Sequence, residues 1–168
     1  RLVQDPTRFD MLLLENLYGD VVSDLCAGLV GGLGVVPGAN IGDEMAVFEA
    51  VHGSAPDIAG KGIANPLALL MSGVMMLNYL AEQRRDGQCK QTAERIKAGY
   101  NQALQDGQKT RDLGGELGTN QFARAVIERL PPSAGPSAAC TVTRTGPVSP
   151  SPGQSPENWA WPRIPSSW

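Results

Sequence analysis

Gly28-Leu-Val-Gly-Gly-Leu-Gly-Val-Val-Pro-Gly38 decides which kind of α/β architecture this chain can adopt. A dinucleotide fingerprint of the G-x-G-x-x-G type needs a strand before its glycines and a helix after them. Here the order is reversed. Upstream, Val21, Val22, Leu25, Cys26 and Leu29 recur at helical spacing, which predicts a helix over 19–29 with Cys26 packed inside. Downstream, Pro37 blocks a helix from continuing. The glycines therefore read as close helix packing followed by a loop with a short strand over 31–42. The expected fold is α/β but not a classical Rossmann unit.

Working outward, Phe9-Asp-Met-Leu-Leu-Leu14 is a short apolar run between turn-like residues and predicts a buried strand. Residues 45–51 predict a second strand. Asn65 suits an N-cap and Pro66 the first helical position, opening a helix to about Leu80. A more polar helix is expected over 88–105, ended by Asp106-Gly107. Arg111 to Gly115 reads as a turn, and Thr119 or Asn120 caps a last helix reaching Leu130. Strands alternating with helices place the chain in the α/β class. The folded part is expected over 1–130. Residues 131–168 are dominated by Pro, Ser, Gly and Thr without any period, and predict a disordered tail.

The 168 residues can bury one modest core. The first residue, Arg1, lies within ten residues of a strand-like run, so the chain is expected to be incomplete at its N-terminus. A net charge of −3 without a basic stripe excludes nucleic acid as a partner, and no apolar run is long enough to cross a bilayer. The three cysteines form no Cys-x-x-Cys or Cys/His cluster, which argues against structural zinc. A reducing compartment is expected: the cytoplasm, with the mitochondrial matrix as the alternative.

Asn16-Leu-Tyr-Gly-Asp20-Val-Val-Ser-Asp24 places two carboxylates at i and i+4. On a helix they share a face and repel. Two readings stay open. Asp20 caps the helix and Asp24 is a solvated charge, or the pair holds a hard divalent cation, which takes one or two carboxylates and fills its shell with water and substrate.

His52-Gly-Ser-Ala-Pro-Asp-Ile-Ala-Gly-Lys-Gly-Ile-Ala-Asn-Pro66 holds the only histidine of the chain. The His52 ring suits a nucleobase, and Gly53, Ser54 and Ala55 allow close backbone approach. Asp57 suits the two hydroxyls of a ribose and repels a 2′-phosphate, favouring NAD over NADP. Asn65 stands at a helix start, where donors meet an adenine edge or a phosphate. The competing reading is an ordered loop in which His52 bonds a carbonyl and Asp57 makes an Asx-turn.

These motifs, with Gly31 to Gly42, Phe48-Glu49 and Asp112-Leu-Gly-Gly115, resemble the metal-dependent β-decarboxylating dehydrogenases of isocitrate, 3-isopropylmalate and homoisocitrate. The resemblance covers residues 1 to about 130 and implies that family's sheet-and-helix fold. It implies that Asp20 and Asp24 bind Mg²⁺ or Mn²⁺ together with a third aspartate from a partner subunit. It further implies that His52, Gly53, Ser54, Ala55, Asp57, Ile58 and Asn65 line the adenosine half of an NAD site, with Glu49 near the nicotinamide. NADP-using members tend to carry lysine and tyrosine where this chain has Asp57 and Ile58.

The implied reaction is oxidation of a hydroxy tricarboxylic acid by hydride transfer to NAD, followed by loss of the β-carboxylate. Isocitrate is the first choice of substrate, because Ala27 to Gly34 and Pro37 to Gly42 look closer to isocitrate enzymes. 3-Isopropylmalate and homoisocitrate are alternatives, as is a non-catalytic regulatory subunit. The family's catalytic lysine and tyrosine and its substrate arginines fall outside this chain, so the chain alone is expected to be inactive. The helix over 19–30 is similar to one that packs across a two-fold dimer, so a homo- or hetero-oligomer is expected.

Overall fold

The computed structural model describes residues 1–132; the expected tail lies outside the described residues from 133 onward. Four helices and one hairpin make up the described part: α1 (Asn16–Val30), β1 (Pro37–Ile41), β2 (Ala46–Ala50), α2 (Leu67–Arg84), α3 (Gly87–Gln105) and α4 (Thr119–Glu128). Short 3₁₀ turns punctuate the links at Leu33–Val35, Pro56–Ile58 and Arg111–Leu113.

β1 and β2 pair antiparallel, with Pro37 opposite Ala50, Ala39 opposite Phe48 and Ile41 opposite Ala46. Strand alternation decides what faces α2. Ala46, Phe48 and Ala50 are half-buried, whereas Val47 and Glu49 are exposed. The Phe48 ring meets Tyr79 of α2 at a centroid distance of 5.6 Å. Behind the hairpin, α2 packs on α3 and α3 on α4. Leu67 and Val74 of α2, Ala93, Tyr100 and Ala103 of α3, and Phe122 and Val126 of α4 form the core.

Local chemistry explains the boundaries. Arg85 ends α2 in the left-handed region at φ 52°. Asp86 then caps α3, its carboxylate accepting the N–H groups of Gln88 and Cys89. Asn65 does cap α2 through its side chain, and regular helix begins one residue beyond Pro66. At α4 the expected hydroxyl cap is replaced. The Gly118 N–H donates to the Gln121 side chain, and the Thr119 hydroxyl turns instead to the carbonyl of Ala64 at 2.5 Å.

Two further expectations about the fold fail. Residues 9–14 form no strand, and Met11 and Leu13 are 80% and 96% exposed. A strand exists only by pairing, and no described segment lies beside this run to complete its hydrogen bonds. Cys26 is only half-buried, because α1 meets the rest of the chain chiefly through the turn at Leu33–Val35. Only Ala27 of that helix is buried.

Candidate functional site

The carboxylate pair sits differently from the capping alternative. Helix α1 begins at Asn16, four residues before Asp20, so Asp20 is in the helix body and caps nothing. Asp20 and Asp24 are both exposed, one turn apart, and neither makes an ion pair among the described residues. Like charges at this spacing destabilise a helix by a few tenths of a kcal/mol, roughly 0.2–0.5. The donor set is all oxygen and suits Mg²⁺ or Mn²⁺. It is also two-membered: among the described residues no group of three or more His, Cys, Asp or Glu side chains gathers anywhere. The pair therefore fits a cation whose remaining ligands come from water, substrate or another chain.

The second site is a cleft of about 960 Å³, at the upper end of the range for small-molecule and cofactor pockets. Three segments frame it. The first is the loop after β2, contributing His52, Gly53, Ser54, Ala55, Ile58 and Asn65. The second is the 3₁₀ turn carrying Leu33 and Gly34. The third comprises Arg111 and Asp112 with Thr119 and Asn120 at the start of α4.

The loop is held in place by backbone and side-chain bonds. Gly62 O accepts from Thr119 N–H at 2.8 Å, and Ala64 O accepts from the Thr119 hydroxyl. Ile58 N–H donates to Ala55 O and Ala59 N–H to Pro56 O, closing the 3₁₀ turn over residues 56–58. Ala55 stands at φ 43°, ψ 63°, the left-handed region that a side chain and a following proline both disfavour. Such a residue costs on the order of 1–3 kcal/mol and persists where surrounding structure overrides it, commonly in ligand-holding loops. The exposed His52 ring keeps Nδ1 3.0 Å from Gly53 O. That contact matches the structural alternative for this histidine, yet leaves Nε2 and the ring face open.

Of the sequence-predicted cofactor residues, His52, Gly53, Ser54, Ala55, Ile58 and Asn65 meet around the cleft. Asp57 is exposed on the same turn but does not line it. Glu49 projects from the far side of β2, where its carboxylate accepts from the Asn40 side-chain amide at 3.0 Å. The sequence assigns Gly34, Arg111, Thr119 and Asn120 to turns and a helix cap, and none of them to a binding site. Asp112 was noticed only within its motif. Their signal is tertiary: 47 positions separate Asn65 from Asp112, and a hydrogen bond of 2.8 Å joins them.

Comparison with known proteins gives the family. The profile of the isocitrate/isopropylmalate dehydrogenase family matches residues 1–126. An isocitrate/homoisocitrate dehydrogenase of Thermus thermophilus is 54% identical over 130 residues, 77% of this chain and 37% of that protein. A mitochondrial catalytic subunit of NAD isocitrate dehydrogenase from Arabidopsis thaliana is 51% identical over 131 residues, 77% of this chain and 33% of that protein. The crystal structure of isocitrate dehydrogenase from Methylococcus capsulatus superposes with a TM-score of 0.69 at 50% identity, covering 77% of this chain and 37% of that one. The chain thus spans about a third of the length of the relatives it matches. No helix among the described residues is long and apolar enough to cross a membrane. With its α/β fold and three-quarters of its length matched, the chain belongs to the isocitrate/isopropylmalate dehydrogenase family.

Proposed function

We propose that this chain is the cofactor- and metal-binding portion of an NAD-dependent isocitrate dehydrogenase, which converts isocitrate to 2-oxoglutarate and CO₂. The observation that carries the proposal is the cleft in which His52, Gly53, Ser54, Ala55, Ile58 and Asn65 meet. It has the size and the mixture of apolar walls and polar side chains expected of a nucleoside site. The residues present fit NAD: a ring to stack, small residues for backbone approach, and a fixed amide for a base edge. NAD, when bound, supplies the hydride acceptor. Asp57 is exposed on the turn next to Ile58, and its charge would disfavour a 2′-phosphate.

The Asp20 and Asp24 carboxylates would hold Mg²⁺ or Mn²⁺, which supplies Lewis-acid polarisation of a substrate oxygen. Their role is to fix the position of that charge and to leave coordination positions for water and substrate. The apolar face of α1 forms a two-fold interface, as argued from the exposure of Leu17, Tyr18 and Val21. Homoisocitrate and 3-isopropylmalate are the competing substrates. The family description names isopropylmalate beside isocitrate, and the Thermus relative's name has homoisocitrate beside isocitrate. The compartment is the cytoplasm or the mitochondrial matrix; the Arabidopsis relative is named mitochondrial.

Calorimetric titration of the chain with Mn²⁺ and, separately, with NAD tests the proposal. Saturable binding of both is expected, with Mn²⁺ binding lost in Asp20→Asn/Asp24→Asn and NAD binding retained. Binding of NAD without any carboxylate-dependent metal site would favour the regulatory alternative.

A further inference from the structure

The chain leaves α4 along the face of α3. The half-buried Arg95 donates from Nε to the carbonyl of Pro131 at 2.9 Å, which pins the exit. Pro132 then lines a hollow of about 550 Å³ with Lys90, Glu94 and Arg95. Lys90 and Glu94 also border a second hollow of about 480 Å³ between α2 and α3, with Met71, Val74, Met75 and Tyr100 as its floor. Because the two hollows share that pair of residues, Pro132 stands roughly one helix width, about 10–12 Å, from the methionine floor. Met71 and Met75 are half-buried and open into this groove. Around them stand Glu82, Lys90, Glu94 and Lys97, all exposed and none in an ion pair among the described residues.

The sequence beyond Pro132 supplies a matching occupant. All three tryptophans of the chain, Trp159, Trp161 and Trp168, lie there, and residues 1–132 hold none. A stretch dominated by Pro, Ser, Gly and Thr builds no core of its own, so burial of these rings requires a surface outside it. Glu157-Asn-Trp-Ala-Trp-Pro-Arg-Ile164 carries two of them in a fitting order. In an extended segment Trp159 and Trp161 share one face, and Pro162 favours extension of the residue before it. Thioether sulfur packs favourably against aromatic rings. Glu157 and Arg163 bracket the indoles with opposite charges, as the lysines and glutamates bracket the floor. We propose that residues 157–164 of this chain dock in the groove between α2 and α3, with the Trp159 and Trp161 indoles on Met71 and Met75.

The linker over 133–158 reaches easily. Random-coil scaling gives it an r.m.s. span of roughly 25–30 Å, more than the one helix width to be crossed. Tethering at this range sets an effective concentration of about the millimolar level. A contact of only millimolar strength between separate molecules is then half-formed or better within one chain. A second copy has to overcome dilution first, which makes the chain's own segment the occupant.

With no tryptophan in residues 1–132, intrinsic fluorescence of the full chain reads the segment alone. The emission maximum is expected to be blue-shifted from that of a peptide spanning 133–168. Acrylamide quenching is expected to fall several-fold, and both effects should be independent of protein concentration. Met75→Glu is expected to return both to the peptide values with far-UV circular dichroism unchanged. A change in the floor can also disturb α2, so the reciprocal change is read by methionine methyl NMR of the full chain against Trp159→Ala/Trp161→Ala. Loss of the ring currents is expected to move the Met71 and Met75 methyls. It should leave those of Met11 and Met45, which are exposed on the 9–14 run and just before β2. Emission and quenching identical to the peptide, a blue shift that grows with protein concentration, or methyl shifts at Met11 or Met45 in place of Met71 and Met75 would each overturn the proposal.

Discussion

The Ser72 hydroxyl lies 2.7 Å from the carbonyl oxygen of Glu49, so the middle of α2 holds the strand that leads into His52. The Ser72 hydroxyl oxygen also accepts from the Gly38 N–H on β1 at 3.3 Å and lies 3.0 Å from Ala68 O on α2. Ser72 is 1% exposed, so water cannot replace it. Ser72→Ala should lower stability by about 1–3 kcal/mol, the cost of leaving buried polar groups unpaired. Urea denaturation monitored by circular dichroism checks this; an unchanged midpoint would mean that the hairpin is held by Phe48 and its neighbours alone.

Gly99 of α3 faces Val126 of α4 and Leu130 just beyond it with no room for a side chain. A Cβ at that position would meet Leu130 Cδ2 at 2.9 Å and Val126 O at 3.1 Å. Alanine gains about 1 kcal/mol of helix propensity over glycine, while overpacking costs typically 1–3 kcal/mol. The clash includes a backbone carbonyl, so the second effect wins. Gly99→Ala is expected to lower the melting temperature, whereas Gly73→Ala, with nothing within 4 Å of its added Cβ, is expected to raise it.

Much of this was legible in the sequence because it is local. The helix preceding Gly28–Gly38, the strand over 46–50, the Asn65 cap and the break at Asp106-Gly107 each follow from periodicity or turn chemistry within a few residues. The exposed run over 9–14 was misread because its apolar pattern asks for neighbouring strands, and pairing partners cannot be read from the strand itself. Part of the cleft was also hidden. Gly34 comes to the loop after β2 through the turn at Leu33–Val35 packed on α2, and Arg111 and Asn120 come to it through α4 and the loop before it.

Helix α1 exposes Leu17, Tyr18, Val21, Leu25, Leu29 and Val30, with Tyr18 65% and Val21 61% accessible. Burial of one such aliphatic side chain is worth about 1.5–3 kcal/mol. If this face forms the two-fold interface, Val21→Glu should weaken self-association by roughly ten- to a hundredfold. Sedimentation equilibrium reads this directly, and association unaltered by the charge would place the contact elsewhere.

Acid stability should depend on Asp106. The Arg129 guanidinium, 2.6 Å away, and then the Gln102 amide hold its carboxyl below the ordinary carboxylate range. A depressed folded-state pKa gives stability that is present above the unfolded value of about 3.9 and is lost as pH falls through the lower folded value. Asp106→Asn should therefore melt below the unchanged protein at neutral pH, and the gap should close as the pH drops below about 3.9. A gap constant with pH would show that the ion pair contributes nothing of its own.

The most direct test of the central claim is to map NAD onto the chain by amide chemical-shift perturbation. Shifts are expected at His52, Gly53, Ser54, Ala55, Ile58 and Asn65 and at Arg111 and Asp112 across the cleft, all saturating with one dissociation constant and all reversed by excess AMP. Saturating NAD that leaves these amides unmoved, or that moves only residues remote from the cleft, would contradict the account.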